Sequence, residues 1–233
     1  VYLFGGLDTA GNPTGTAWLF DSNFAPAGAY LELGDFPGFA RANEVAIATS
    51  ADRFVVTGAP PVDLAGTGVS ARSDVPALAS AGATFVTATG VRTALALDAT
   101  GRLVRYHEGA FELLAPSRPG AALAALRDGK LLAVGGGTAE EANDILVVDA
   151  FGGVTTIADA LTTERTNARV AVTRRHVVVV GGGPTEILDA ATLARVVEPR
   201  ERIDGKPFPL PNDQVLIVDD ATGALVLFTP PGV

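Results

Sequence analysis

Asp128-Gly129-Lys130-Leu131-Leu132-Ala133-Val134-Gly135-Gly136-Gly137 reads as a turn, a short apolar run and a glycine cluster. The same order returns in Arg175-His176-Val177-Val178-Val179-Val180-Gly181-Gly182-Gly183 and in Asp52-Arg53-Phe54-Val55-Val56-Thr57-Gly58, and a shortened copy opens the chain as Val1-Tyr2-Leu3-Phe4-Gly5-Gly6. A unit that repeats along a chain cannot bury its faces alone. Its copies stack on one another, so the repeat decides how every local signal is read.

Aligning on the glycine slot brings an arginine into register upstream. Arg41 precedes Gly58 by 17 positions, Arg118 precedes Gly135 by 17 and Arg165 precedes Gly181 by 16. Arg202 precedes Asp219 by 17, so the segment through Pro207 to Val218 is the same unit with aspartate in the glycine slot. Between arginine and turn lies one alternating run, such as Ala121 to Leu126 or Ala168 to Val172, and the second run follows the turn. That order predicts an antiparallel hairpin, with small residues suited to strands crowded near an axis.

After the glycines each unit supplies a third strand ending in aspartate, then a fourth. Thr16 to Asp21, Asn143 to Asp149 and Thr185 to Asp189 are the predicted third strands. Ala29 to Leu33, Gly153 to Ile157 and Leu193 to Val197 are the predicted fourth strands. The closing aspartate is placed to accept hydrogen bonds from its own turn. The middle unit diverges: Thr93 to Tyr106 parallels Gln214 to Phe228, and in both a tight Asp-Ala-Thr-Gly turn replaces the glycine cluster.

With Gly5, Gly58, Asp98, Gly135, Gly181 and Asp219 as landmarks, the intervals are 53, 40, 37, 46 and 38 residues. No stripe of helical period is sustained anywhere. Four strands in roughly 40 to 50 residues is the period of a propeller blade. The expectation is therefore an all-β, single-domain β-propeller of six blades, with boundaries near 1–39, 40–80, 81–116, 117–162, 163–199 and 200–233. The first blade begins at its second strand and the last stops at its third, so either the end segments pair to close the ring or sequence beyond Val1 and Val233 completes it.

The glycine pair after an apolar run, the arginine upstream and the aspartate-terminated strand downstream resemble kelch repeats over nearly the whole chain. Phe20, Val148 and Leu188 stand where the kelch pattern has tyrosine, the fourth-strand tryptophan is absent, and blades three and six lack the glycine pair.

Composition narrows the function. The net charge is −9, with two lysines, Lys130 and Lys206, against fifteen scattered arginines; a phosphate-tracking surface needs clustered positive charge, so nucleic acid is not an expected partner. The apolar runs are far short of the roughly 20 residues of a membrane-spanning helix. There is no cysteine. That excludes disulfides, thiolate metal sites and the tyrosine–cysteine copper site of galactose oxidase-like kelch proteins. The two histidines, His107 and His176, fall in different units, no serine lies in a Gly-x-Ser-x-Gly elbow, and the repeated Ser-x-Asp-x-Gly-x-x-Trp turns of sialidase-like propellers are not found. We expect no metal and no cofactor. Scarce lysine with abundant arginine and alanine points to a GC-rich bacterial source, leaning to a secreted, periplasmic or cell-surface location.

Three groups of residues are candidates for binding. Arg41, Arg118, Arg165 and Arg202 all open an innermost strand, where guanidinium groups could take a carboxylate, a phosphate or an acidic peptide, or could brace their own blades through backbone carbonyls. Asp8, Asp63, Glu140 and Glu141, with Asp144, make an acidic rim on the loops after the second strand, at Leu7–Gly15, Ala59–Gly68 and Thr138–Ala142. Phe36 and Phe39 either form a contact patch or wedge between blades one and two. The Asp8 loop lacks the alternating oxygen ligands of a calcium site and reads as a turn.

The expected function is a non-catalytic kelch-like propeller, a protein-interaction or assembly module of an exported or surface protein. The alternative is a propeller binding a small anion or glycan, with hydrolase or lyase activity in an arginine-lined channel.

Overall fold

In the computed structural model, residues 2–20, 30–39, 46–49, 53–57, 60–65, 68–86 and 92–230 are described. Their strands form six antiparallel meanders, each running outward in chain order. The first is β1 (Tyr2–Phe4), β2 (Thr16–Phe20) and β3 (Tyr30–Asp35). The second is β4 (Ala46–Ala48), β5 (Arg53–Val56), β6 (Val62–Ala65) and β7 (Gly68–Ala71). The third is β8 (Leu78–Val86), β9 (Arg92–Asp98), β10 (Arg102–His107) and β11 (Ala110–Ser117). The fourth is β12 (Ala122–Ala125), β13 (Leu131–Val134), β14 (Ile145–Val148) and β15 (Val154–Ile157). The fifth is β16 (Arg169–Val172), β17 (His176–Val180) and β18 (Glu186–Asp189). The sixth is β19 (Gly205–Pro209), β20 (Val215–Asp219) and β21 (Leu225–Phe228).

Two observations give the sheets a radial arrangement. First strands lie against one another in sequence, β4 on β8, β8 on β12, β12 on β16 and β16 on β19. Each middle sheet also buries both of its faces. Successive side chains of a strand point to opposite faces, and in β13 Leu132 and Val134 join a core with Val177 and Val179 of sheet five. Leu131 and Ala133 of the same strand join Leu95, Leu97 and Leu103 of sheet three. In β17 the other two valines, Val178 and Val180, pack on Val215 and Ile217 of sheet six. A two-layer sandwich would bury one face of each sheet and leave the other wet. Here the continuous apolar run Val177-Val178-Val179-Val180 is explained by a neighbour on either side.

The landmarks predicted from sequence fall where expected: Gly5, Gly135 and Gly181 follow β1, β13 and β17, while Asp98 and Asp219 close β9 and β20. Gly58 lies outside the described residues. Gly136 shows why the slot holds glycine, with a φ of 71° and space so restricted that an added Cβ would stand 2.5 Å from the Ala121 nitrogen. Of the third-strand aspartates, Asp21 lies outside the described residues, and Asp149 and Asp189 act as predicted. Asp149 Oδ1 accepts the Phe151 and Gly153 N–H groups at 2.8 and 2.9 Å, and Asp189 Oδ1 accepts those of Ala191 and Thr192 at 3.0 and 2.8 Å.

Two expectations need correction. The predicted loop Ala59–Gly68 contains strand β6, and Asp63 is a buried third-strand residue because Arg53 on β5 grips its carboxylate, Nε at 2.9 and 2.7 Å from the two oxygens. The predicted fourth strand Leu193–Val197 is present only as isolated bridges, Leu188 to Arg195 and Thr185 to Arg200. Its start is consumed by a hydrogen-bonded turn in which Asp189 N–H donates to Ala194 O and Leu193 N–H to Asp189 O, with Leu193 left-handed at φ 58°.

Candidate functional site at the mouth of the central channel

The ends of the second strands and the approaches to the first strands meet at one end of the molecule, and cross-sheet hydrogen bonds lock them together. Arg118 N–H donates to Gly101 O at 2.7 Å, Asn167 N–H to Gly120 O at 3.0 Å, Gly136 N–H to Arg165 O at 2.7 Å and Gly181 N–H to Ile203 O at 3.1 Å. Each bond ties a turn or approach of one sheet to its neighbour. A rigid rim results, the setting in which binding residues are usually found.

The predicted arginines divide on this frame. Arg165 has no exposed surface: Nη1 donates to Gly181 O at 2.9 Å, Nη2 to Glu186 Oε1 at 2.7 Å and also to Pro184 O. Glu186, equally buried, also accepts the Thr162 N–H at 3.1 and 3.0 Å and has Arg195 Nε at 3.6 Å. Arg118 is buried too and pairs with Glu141, with Asp144 at 3.6 Å, so it holds the connection after its own second strand. Both are blade braces. Arg202 differs, with a side chain 61% exposed and Nε 2.7 Å from Asp204. Arg41 lies outside the described residues.

The acidic residues divide in the same way. Glu141 Oε2 accepts the Thr138 N–H at 3.1 Å, ordering the short 3-10 turn Ala139–Glu141. The Arg118 hydrogen bond, helped by Thr138, holds the Glu141 carboxyl below its usual range. Glu140 beside it is exposed. Asp8 Oδ1 accepts the Ala10 and Asn12 N–H groups at 2.8 Å each, so it closes its own turn as expected. Phe39 packs against the core of Val56, Val62 and Leu64 in sheet two, as does Phe4 from sheet one. Phe36 is half-buried and its N–H donates to Gly15 O at 3.1 Å.

What this end of the molecule offers to solvent is a depression of 510 Å³, lined by the Asp98–Gly101 turn of sheet three, Pro119 to Ala121 approaching sheet four, and Asn167 to Arg169 entering sheet five. A second depression of 320 Å³ shares Asn167 and Arg169 with the first and continues to Gly181, Arg202, Asp204 and Asp220. Four successive sheets thus frame one trough, with Arg169 between its two parts. Arg169 pairs with Asp220 of sheet six. Asp98 accepts Thr100 N–H at 2.8 Å and Arg102 N–H at 2.9 Å, and Arg102 Nε sits 2.9 Å from its other oxygen. Burial alone would raise the Asp98 pKa, yet these bonds outweigh it and hold the carboxyl well below the usual carboxylate range.

Asn167, Arg169, Asp204 and Asp220 were not among the residues singled out from sequence. One signal could have found Arg169. It opens an innermost strand at the position where sheet four has Ala122, and a charge in a strand of small apolar residues marks a position open to water.

Among the described residues no group of His, Asp and Glu is placed to hold a metal, and His107 and His176 belong to β10 and β17. No described helix is long and apolar enough to cross a membrane.

No protein-family model matches the chain, and no curated protein matches it in sequence. Its fold does have solved counterparts. A streptogramin B lyase structure superimposes with a TM-score of 0.60 at 12% identity, covering 98% of this chain and 83% of that one. YjhT gives 0.51 at 11% identity, over 97% and 92% of the two chains. The chain is a β-propeller. A protein of unknown function from Bacteroides caccae gives 0.50 at 11% identity, over 94% of this chain and 82% of that one. At these identities the likeness is one of fold alone.

Proposed function

We propose that this propeller is a non-catalytic recognition module that binds a polar segment of a protein partner at the mouth of its channel. The reading takes the six sheets as six kelch-like blades, with boundaries near those inferred from sequence except that β8 opens the third at Leu78. The observation that carries it is the continuous trough framed by four sheets, with Arg169 at its centre and Arg202, Asp98, Asp204 and Asp220 around it. Arginine donors alternate with carboxylate acceptors along this rim, which suits a peptide presenting both donors and acceptors better than a simple anion.

The test is site-specific photo-crosslinking in the native host. A crosslinker at position 99, an exposed residue lining the larger depression, should give a discrete protein adduct that is lost when Arg202 and Asp220 are both changed to alanine. A crosslinker at Leu113, exposed on the outermost strand of sheet three, should not give that adduct. Equal adducts from both positions would reject the reading.

A second reading is favoured by the volume of the larger depression. At 510 Å³ it falls within the roughly 300 to 1,000 Å³ of small-molecule sites. On that reading the mouth takes a small polar ligand or glycan, with lyase or hydrolase chemistry; a protein of like fold bears the name streptogramin B lyase, and fold by itself assigns no activity. A small-molecule melting-temperature screen that is abolished by Arg169→Ala would favour it.

A further inference from the structure

The opposite end of the molecule, where first strands turn into second strands, carries a smaller cleft of 180 Å³ between sheets four and five. It is lined by Leu126, Arg127 and Asp128, by Thr173 and Arg174, and by Ala190 and Ala191. Arg127 and Arg174 are the second residues beyond β12 and β16, so the repeat itself brings both to one cleft from neighbouring sheets. Both are exposed, and among the described residues neither guanidinium is engaged in an ion pair.

The carboxylates around them are already committed. Asp128 is bound by Lys130, Nζ at 2.7 Å. Asp213, buried at the same end of sheet six, accepts the Arg174 and Arg175 N–H groups at 2.6 and 3.1 Å and has Arg175 Nε at 3.8 Å. Asp189 closes the turn that supplies Ala190 and Ala191. The cleft therefore keeps two guanidinium groups that no described carboxylate pairs with, in a chain whose net charge is −9.

The backbone that presents these arginines is held on both sides. Asp213 clamps the 173–176 turn from sheet six, and Ala190 N–H donates to Arg175 O at 2.8 Å. Leu126 N–H donates to Lys130 O at 2.8 Å and Gly129 N–H to Leu126 O at 3.2 Å, closing the turn that carries Arg127. Pre-ordered turns lower the entropic cost of gathering two flexible side chains around one ligand. The cleft is too small for most small-molecule ligands, which need roughly 300 Å³ or more, and is of a size for a single charged group.

We propose that this cleft is a phosphate-binding site, in which Arg127 and Arg174 take one phosphate dianion between them. Two guanidinium forks match the two charges and several acceptor oxygens of phosphate, and arginine binds such oxygens in pairs. The chemistry is common to free inorganic phosphate and to the phosphoryl group of a phosphomonoester. The site is remote from the channel mouth and independent of the function proposed for it.

Isothermal titration of the whole chain with inorganic phosphate, and separately with phosphoserine, tests the assignment at low ionic strength. Binding is expected to weaken about tenfold or more in Arg127→Gln and in Arg174→Gln, because a hydrogen bond to a charged group is worth about 1.5–3 kcal/mol. It should be unchanged in Lys206→Gln, which removes an exposed cation outside the cleft. A greater affinity for phosphoserine than for phosphate identifies a phosphorylated ligand as the source, and the reverse order identifies the free ion. Circular dichroism melts show whether the variants remain folded, and Arg127→Lys, which keeps the charge but loses the fork, should fall between wild type and glutamine. Phosphate binding that survives in both glutamine variants, or no binding to the wild-type chain in the tens of millimolar range, would overturn the proposal.

Discussion

Replacing Arg165 with alanine should be among the most damaging single changes in the chain. Its guanidinium meets Gly181 O at 2.9 Å, Glu186 Oε1 at 2.7 Å and Pro184 O, with no exposed surface. Removing it leaves Glu186 buried, with the Thr162 N–H and a single cation, Arg195, at 3.6 Å. Taking one partner from a buried ion pair costs about 3–5 kcal/mol, because the remaining charge cannot be rehydrated. At roughly 2–4 °C per kcal/mol for a chain of this length, the melting temperature should fall by about 6–20 °C. Urea unfolding should show the same loss at an unchanged slope. The internal control is Arg202→Ala, whose exposed pair with Asp204 should contribute less than about 1 kcal/mol. A loss under about 1 kcal/mol for Arg165→Ala, or equal losses for the two arginines, would refute the division of the predicted arginine ring into braces and rim.

Other outcomes follow from the same geometry. Asp98→Asn should flatten the acid limb of the stability profile. The folded-state pKa of Asp98 is depressed from 3.8, so its contribution is complete above that value and is lost as pH falls through the folded-state pKa. Melts near pH 7 and near pH 3 should converge in the variant relative to wild type. Gly136→Ala should cost about 1–3 kcal/mol, since it combines a left-handed φ with a Cβ 2.5 Å from the Ala121 nitrogen; chemical denaturation measures it. Arg169→Ala, at a half-exposed pair with Asp220, should shift unfolding by less than about 1 kcal/mol while removing the adducts expected from the channel mouth.

The period was legible because each blade must repeat the same physical requirements. A tight turn with positive φ, a strand buried on both faces and an aspartate that closes its own turn each demand particular residue types, and those recur at measurable offsets. Val177 to Val180 is the clearest instance, since an unbroken β-branched run signals burial on both sides before any contact is known. Side-chain depth was not legible. Arg165 and Arg202 occupy equivalent positions in the repeat, yet one is sealed under Pro184 and Glu186 while the other lies open beside Asp204. Depth depends on what the connection after the second strand folds over, and that connection is the least repetitive part of each unit. Asp63 escaped for a related reason: a charged residue reads as loop until its partner across the sheet, Arg53, is placed. The trough itself is assembled from short segments of four sheets separated by tens of residues. Only the radial arrangement brings them together.

That arrangement can be measured directly, because the chain has no cysteine of its own. Ala99 belongs to sheet three and Arg169 to sheet five, two sheets that are not neighbours, yet both residues line the same depression. In an Ala99→Cys, Arg169→Cys variant, a short bifunctional thiol reagent should join the two positions efficiently within one chain. Pairing Ala99→Cys with Phe151→Cys, an exposed turn residue between β14 and β15, should give little product. Intramolecular crosslinking confined to the 99–169 pair is the result predicted for sheets arranged around a shared channel; a 99–169 yield no higher than that of 99–151 would contradict both the radial fold and the site built on it.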